Sequence, residues 1–278
     1  MAGSSTRQAL DAAVDALRAA GVSDPRFDAE LLLAEAIGQG RAQLATNPQA
    51  GIPPPAARRF AEMVRRRLRR EPVAYILGRR GFRHLELAVD PRVLIPRPET
   101  ELLVELALEL RPRSVLDVGT GSGALALAIA AELHEAEVTA TDTSAGALAV
   151  AAANAERLGL AARVELFEGT LPPGGEEFDL VVANLPYVSE REWGGLQREV
   201  TEWEPREALL AGPDGLDVLR SAVPALTAVT GILALEIGQG QAAAVGELLR
   251  EAGCQAVESR PDLAGIERLV IGHREAVA

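Results

Sequence analysis

Apolar positions recur at helical spacing through the first third of the chain. They then give way to short apolar runs that alternate with alanine-rich stretches. Ala9, Leu10, Ala13, Val14 and Leu17 mark one helical face. Asp24-Pro25 offers an N-cap followed by proline at the first helical position, and Leu31–Leu33, Ala36 and Ile37 continue that helix to Gly38 and Gly40. Gly51–Pro55 is a break, and a third helix is predicted over 56–70. Three short amphipathic helices make a small bundle over residues 1–72. Residues 73–100 read as a linker with a β-hairpin, with strands at Gly81–Val89 and Arg92–Ile95 turning at Asp90-Pro91, and an Ile95–Pro98 segment held extended by two prolines. From 101 to 278 the pattern is α/β. Strands are predicted at Ser114–Val118, Glu137–Thr141, Arg163–Phe167, Leu180–Asn184 and Ile232–Ile237, and helices at about 122–133, 144–158 and 240–252. A last pair, Gln255–Ser259 and Glu267–Ile271, would close the sheet antiparallel. The alternation predicts a parallel sheet covered by helices on both faces, with ligands beyond the carboxyl ends of its strands.

Composition narrows the class. The chain has 278 residues, 48% apolar and 24% charged, an ordinary globular balance. The lone cysteine, Cys254, excludes a disulfide framework and a cysteine-based zinc site. His84, His134 and His273 are scattered without carboxylates at ligand spacing, so no metal is expected. Met1–Arg7 leads into a charged helix with no apolar signal region, and the uncharged apolar stretch Ser221–Leu235 is too short to span a membrane. The expectation is a soluble, cytoplasmic protein that binds no membrane.

Charge is unevenly spread. All 28 basic residues are arginine; residues 1–112 carry a net +3 and residues 113–278 a net −15. The acidic part is a poor general surface for phosphate backbones, so no direct nucleic-acid readout is expected. Residues 58–83 hold ten arginines against Glu62 and Glu71. The plain reading is a solvated helix face; the functional one is a contact surface for an acidic partner.

Two motifs carry chemistry. Val115–Ala124 is a buried strand running into a glycine turn, Gly119-Thr120-Gly121-Ser122-Gly123, and then a helix. Such a turn lets backbone approach a ligand closely, and the helix start favours acceptors. Asp142 ends the next strand, 21 residues after Gly121, where a carboxylate can accept both hydroxyls of a ribose. The turn fits the dinucleotide fingerprint of nicotinamide and flavin enzymes. It also fits a methyltransferase turn, in which an acid, here Asp117, precedes the first glycine by two residues. That acid would repel a pyrophosphate and attract the ammonium of S-adenosylmethionine. A tight turn without ligand is the third reading. The second motif, Asn184-Leu185-Pro186-Tyr187, follows the fourth strand on the same side of the sheet. Asparagine offers an acceptor and donors suited to holding a substrate –NH2.

Asn184-Leu-Pro-Tyr187 resembles the Asn/Asp-Pro-Pro-Tyr signature of amino-methyltransferases, which is shared by N6-adenine enzymes and by the N5-glutamine methyltransferases of peptide chain release factors. The wider chain resembles the second branch: Glu71–Gly78, Leu94–Glu101, Glu204-Pro205, Ala208–Gly215 and Leu235–Gly238 are similar to its segments, in order. Leu185 stands where proline is usual. The resemblance implies a seven-stranded class I S-adenosylmethionine-dependent methyltransferase fold of the Rossmann-like kind with an N-terminal helical bundle. The implied reaction is methylation of the glutamine in a release factor's Gly-Gly-Gln motif. It also implies the roles. Asn184 Oδ1 and the Leu185 carbonyl accept the amide hydrogens, while Pro186 and Tyr187 shape and line the substrate site. Asp117 and Gly119–Gly123 hold the methionine part, Asp142 the ribose, and Glu168 and Gly169 the adenine. An adenine methyltransferase and an NAD-dependent oxidoreductase are the alternative readings.

Overall fold

Helical spacing at the start of the chain produces α1 (Thr6–Ala19), α2 (Pro25–Ile37), the short α3 (Arg41–Thr46), α4 (Pro54–Leu68) and α5 (Val73–Leu77). The computed structural model describes residues 5–274. A capping box starts α1: the Ser5 hydroxyl accepts from the Gln8 amide at 3.3 Å, and the Gln8 side chain accepts from the Ser5 amide at 3.0 Å. Asp24 caps α2 ahead of Pro25, and Gly38 ends it in the left-handed conformation. Leu10, Val14 and Leu17 of α1 pack with Leu32 and Leu33 of α2, Phe60 of α4 and Ile76 of α5 in one core. These helices and Gln197–Trp203 form one unit of the chain; Arg79–Leu196 and the residues from Glu204 onward form the other.

The second unit opens with a hairpin, β1 (Arg79–Phe82) and β2 (Leu85–Ala88), then α6 (Glu101–Leu110). Alternation follows: β3 (Ser114–Val118), α7 (Ala124–Glu132), β4 (Glu137–Asp142), α8 (Ala145–Arg157), β5 (Val164–Glu168) and β6 (Phe178–Ala183). After α9 (Glu190–Trp193) and α10 (Arg198–Trp203), which belongs to the first unit, come α11 (Asp217–Ala228), β7 (Thr230–Glu236), α12 (Ala242–Glu251), β8 (Ala256–Pro261) and β9 (Glu267–His273). The sheet order is β5-β4-β3-β6-β7-β9-β8. Strands β3 to β7 run parallel to one another, and β9 lies antiparallel to both β7 and β8. Because β4 and β6 flank β3, the chain reverses direction across the sheet there, which opens a crevice at the strands' carboxyl ends. Both faces are apolar. Val115, Leu180 and Val182 pack with Leu103, Leu106 and Leu127 on one side, and Leu116, Val181 and Leu233 with Leu219, Val223 and Leu249 on the other. A sheet buried on both faces explains why its strands read as continuous apolar runs.

Two expectations are corrected. The hairpin turns at Arg83-His84, with Phe82 paired to Leu85, and not at Asp90-Pro91. Arg83 takes φ 51°, which sequence patterning disfavours in a non-glycine residue. Its neighbours hold it there: its amide donates to Glu101 at 3.1 Å, and its guanidinium pairs with Glu132 at 2.7 Å. The arginine-rich stretch is also only partly a solvated face. Arg67 and Arg70 are buried, and both bond Glu199 of α10 at 2.6 Å, while Arg67 also bonds Asp28 of α2 at 2.7 Å. Burial opposes charge on Glu199, but the hydrogen bonds from Arg70 and Arg67 outweigh it and hold the carboxyl below its ordinary value.

Candidate active site

The glycine turn is built from beneath. Asp117, fully buried at the end of β3, accepts through Oδ2 from the Thr120 hydroxyl at 2.7 Å and the Ala126 amide at 3.1 Å. Its Oδ1 has no partner, and burial pushes the carboxyl up to about 7. Asp142 accepts from the Gly121 amide at 2.9 Å and from the Ser144 amide at 2.8 Å, joining the turn to the start of α8. Asn154, buried on α8, donates to the Ser122 carbonyl at 2.9 Å and the Ala88 carbonyl at 3.0 Å, and accepts from the Ala88 amide at 2.7 Å. One side chain thus ties the turn to the hairpin.

Above the turn lies a cavity of about 640 Å³. This falls in the usual range for small-molecule sites, roughly 300–1,000 Å³. Its wall brings together Gly119, Gly121, Asp142, Gly169, Asn184, Leu185 and Pro186. Asp117, Thr120, Ser122, Gly123, Glu168 and Tyr187 are not on that wall. Thr120 and Ser122 are buried within the turn, whereas Glu168 is exposed at the end of β5. The Gly169 amide donates to the Asp142 carbonyl at 2.9 Å. The wall also includes Arg92–Leu94 and, from α11, Asp217 and Ser221, which patterning did not single out.

Asn184 follows the last residue of β6. Its Nδ2 donates to the Thr100 hydroxyl at 3.0 Å. Its Oδ1 and the Leu185 carbonyl receive no hydrogen bond among the described residues. Two acceptors side by side on a cavity wall are what a planar –NH2 requires. The Leu185 side chain fills the space over the turn: a Cβ on Gly119 would lie 3.1 Å from Leu185 Cδ2, so glycine is needed there for close approach as well as for its φ of 75°.

Tyr187 is held from the side of β7. Its hydroxyl donates to Glu236 Oε1 at 3.4 Å, at the end of β7, and its carbonyl accepts from Gln241 Nε2 at 3.0 Å. Gln241 also accepts from the Gly238 amide at 2.9 Å, so one amide side chain joins the Asn184–Tyr187 loop to the end of β7. Burial pushes Tyr187 up, so the phenol keeps its proton and acts as donor. Glu236 is buried, and burial raises it to about 7. Glu204, also buried, accepts from the Ile95 amide at 3.0 Å and from Arg97 at 2.5 Å, which fixes the proline-rich segment before α6. Among the described residues no cluster of three or more His, Cys, Asp or Glu could hold a metal ion, and no helix is long and apolar enough to cross a membrane.

Residues 8–78 match the family model described as PrmC N-terminal domain, and residues 115–203 match one described as Methyltransferase domain. A release factor glutamine methyltransferase of Moorella thermoacetica is 44% identical, covering 96% of this chain and 98% of its own. One from Caulobacter vibrioides is 41% identical, covering 95% of each chain. The chain belongs to the release factor glutamine methyltransferase family. The fold has wider company. The human methyltransferase 10 domain containing protein superposes with a TM-score of 0.52 at 15% identity, covering 69% of this chain and 90% of its own. The N-terminal domain of human METTL16, solved in complex with SAH, gives 0.51 at 15% identity, covering 68% of this chain and 76% of its own. At that identity the likeness is one of fold, and it makes the sheet a class I methyltransferase sheet.

Family membership explains segments that patterning left without a role. Leu94–Glu101 and Glu204-Pro205 meet through the Glu204 bonds, and Leu235–Gly238 carries Glu236 beneath Tyr187. Asn154 was legible only as a lone polar residue on a helix face of alanines.

Proposed function

We propose that this protein transfers the methyl group of S-adenosyl-L-methionine to the side-chain amide nitrogen of a glutamine in the Gly-Gly-Gln motif of a peptide chain release factor. The observation that carries the reading is the pair of free acceptors, Asn184 Oδ1 and the Leu185 carbonyl, beside the glycine turn on one cavity wall. The residues present suit the cofactor. Asp117 keeps an unpaired buried carboxylate oxygen under the turn, which favours a cation above it, and Asp142 offers a carboxylate to a diol. When bound, the cofactor supplies a methyl group already activated by a sulfonium.

An amide nitrogen is a poor nucleophile because its lone pair is delocalised into the carbonyl. The protein's work is therefore alignment and polarisation. Asn184 and Leu185 accept the two amide hydrogens, fix the nitrogen and draw electron density toward its free face. As the nitrogen gained the methyl carbon, the methyl–sulfur bond would break with its electron pair left on sulfur as a neutral thioether, and the nitrogen would release one proton to water, so no strong base is required. Pro186 stiffens the acceptor pair; Tyr187 holds the loop in place from behind. Gly119–Gly123 cradle the methionine part, with Thr120 and Ser122 inside the turn, and Glu168 and Gly169 flank the adenine. The acidic catalytic part disfavours direct reading of nucleic acid, and the site of action is the cytoplasm.

Labelled S-adenosyl-L-methionine, incubated with the protein and either a release factor, the same factor with Gln→Ala in its Gly-Gly-Gln motif, or adenine-containing DNA and RNA, tests this directly. Label is expected in the first factor alone. Label in nucleic acid would establish the adenine reading instead.

A further inference from the structure

Gln241 stands at the N-cap of α12, a position that favours serine, threonine, aspartate or asparagine, and its side chain makes no capping hydrogen bond. It turns instead to three backbone groups. Its Nε2 donates to the Tyr187 carbonyl at 3.0 Å and to the Gly215 carbonyl at 3.3 Å, and its Oε1 accepts from the Gly238 amide at 2.9 Å. Each partner belongs to a different segment of the same unit. Tyr187 closes the loop that bears Asn184 and Leu185. Gly215 leads into α11, whose Asp217 and Ser221 stand on the wall of the same cavity. Gly238 follows the end of β7.

Donor and acceptor counting makes the arrangement specific to glutamine. A side-chain amide has two N–H donors and one oxygen. Here both donors and the oxygen are engaged, and the partners are backbone groups of fixed polarity, so the amide has a single orientation. Glutamate in its place keeps the bond from Gly238 but sets an oxygen against two carbonyls. Glycine clears the space at both ends of the amide: a Cβ on Gly215 would lie 2.9 Å from Nε2, and one on Gly238 would lie 3.0 Å from Oε1. The surrounding backbone explains why the tie falls at this point. Beyond Tyr187 the chain pairs with 209–212 through the backbone alone. The Val188 amide donates to the Leu209 carbonyl at 2.9 Å, the Ala211 amide to the Val188 carbonyl at 2.9 Å, and the Glu190 amide to the Gly212 carbonyl at 3.0 Å. Toward the cavity, at Tyr187 and Gly215, the Gln241 side chain continues that pairing.

Resting on the function proposed above, we infer that Gln241 is a positioning residue for methyl transfer: it holds the Tyr187 carbonyl in register with the start of α11 and the end of β7, and so fixes where Asn184 Oδ1 and the Leu185 carbonyl stand for the substrate amide. Gln241 is itself off the cavity wall and acts only through the loop.

The test uses the full chain with Gln241→Glu and Gln241→Met, both close to glutamine in size. Each is expected to lower kcat on a release factor about 10–100-fold, up to the loss that a displacement of about 1 Å brings. The KM for S-adenosyl-L-methionine should stay within about threefold, since the side chain holds no cofactor. Two NMR readouts need no substrate. Exchange of the Gly238 amide should stay slow in Gln241→Glu, which keeps the acceptor, and quicken in Gln241→Met, which does not. The ¹³C signal of the Tyr187 carbonyl should move in both. A fall in kcat for Gln241→Glu with the Gly238 amide still protected assigns the loss to the two carbonyl bonds. Inactivity of the wild type on release factors would refute the proposed function alone, and the Tyr187 carbonyl signal would still decide whether Gln241 holds the loop. Either variant, folded, is sufficient: wild-type kcat, or an unmoved Tyr187 carbonyl signal, would overturn the inference. So would a loss that falls on the KM for S-adenosyl-L-methionine with kcat unchanged.

Discussion

Gly215→Ala should disable the enzyme while leaving it folded. Gly215 has a φ of 80°, and a Cβ built there lies 2.3 Å from the Tyr187 carbonyl oxygen, 2.9 Å from Gln241 Nε2 and 3.1 Å from the Ser189 amide nitrogen. Two of these neighbours are backbone and cannot swing aside. An ordinary carbon contact is about 3.5 Å or more, so the Tyr187 carbonyl must retreat by roughly 1 Å. That retreat stretches the 3.0 Å bond from Gln241 and drags the loop carrying Asn184 and Leu185. Misplacing a reacting group by about 1 Å can cost on the order of 10²-fold in rate. The left-handed backbone adds about 1–2 kcal/mol of strain to any non-glycine residue. Gly159→Ala separates the two effects, because Gly159 has a φ of 71° with nothing within 4 Å of a built Cβ. Gly159→Ala should show the cost of the backbone strain alone in urea unfolding, Gly215→Ala should lose more because of the added clash, and only Gly215→Ala should lose about 10²-fold in kcat for methyl transfer. Equal kcat values for the two would refute the reasoning, since they would mean that the loop tolerates displacement.

Asn184→Ala should lower kcat by about 10²–10³, the scale for losing one preorganised polar group at a reacting centre, with thermal unfolding little changed; near-normal turnover would remove it from the mechanism. Glu199→Ala leaves Arg67 and Arg70 buried with one carboxylate between them and should cost about 3 kcal/mol in urea unfolding, whereas Glu62→Ala at the exposed Arg65 pair should leave Tm where it is. Asp117 is raised above its unfolded value by burial, so the native state holds the extra proton and stability falls as pH rises between about 4 and 7, by up to about 1.4 kcal/mol per unit. Unfolding measured at about pH 5.5 and 7.5 should show a smaller fall for Asp117→Asn than for the wild type.

The sheet was largely legible because its signal is local. Ser114–Val118 is predicted and observed with the same bounds, and the other strands of the sheet differ by one to three residues at their ends. The wall residues Gly119, Gly121, Asp142 and Asn184 were legible for the same reason, since each sits where a strand runs out. Illegible parts depend on partners distant in sequence. No pattern within 79–90 reveals that Arg83 takes the turn, because the carboxylates holding it are Glu101 and Glu132. α11 escaped because Pro224 lies inside it and its apolar stripe merges with that of β7. Tyr187 was expected at the substrate because of its place in the motif, and only the fold reveals that its hydroxyl bonds the buried Glu236.

The placement of polar groups indicates what the site must protect. The two acceptors expected to meet substrate, Asn184 Oδ1 and the Leu185 carbonyl, are the ones left without donors inside the described protein. Other polar groups nearby are engaged: Asn184 Nδ2 with Thr100, the Tyr187 carbonyl with Gln241, and the Tyr187 hydroxyl with Glu236. Hydrogen bonds to the back of a loop lower the reorganisation needed at its front, because the acceptors already stand where the transition state requires them. This also explains how leucine is tolerated at 185. Proline stiffens such a turn through its own φ, but here the turn is held by Thr100, Gln241 and Glu236 and by Leu185 packing over Gly119. Rigidity supplied from outside the loop no longer depends on that one ring. Loss of any of these supports should therefore weaken methyl transfer more in this protein than in a relative with proline at the same place, a comparison that Leu185→Pro in the Thr100→Val background would make within one chain. Recovery of turnover by the added proline is the expected result, and a further loss would show that the leucine side chain, not the stiffness of the turn, is what the site requires.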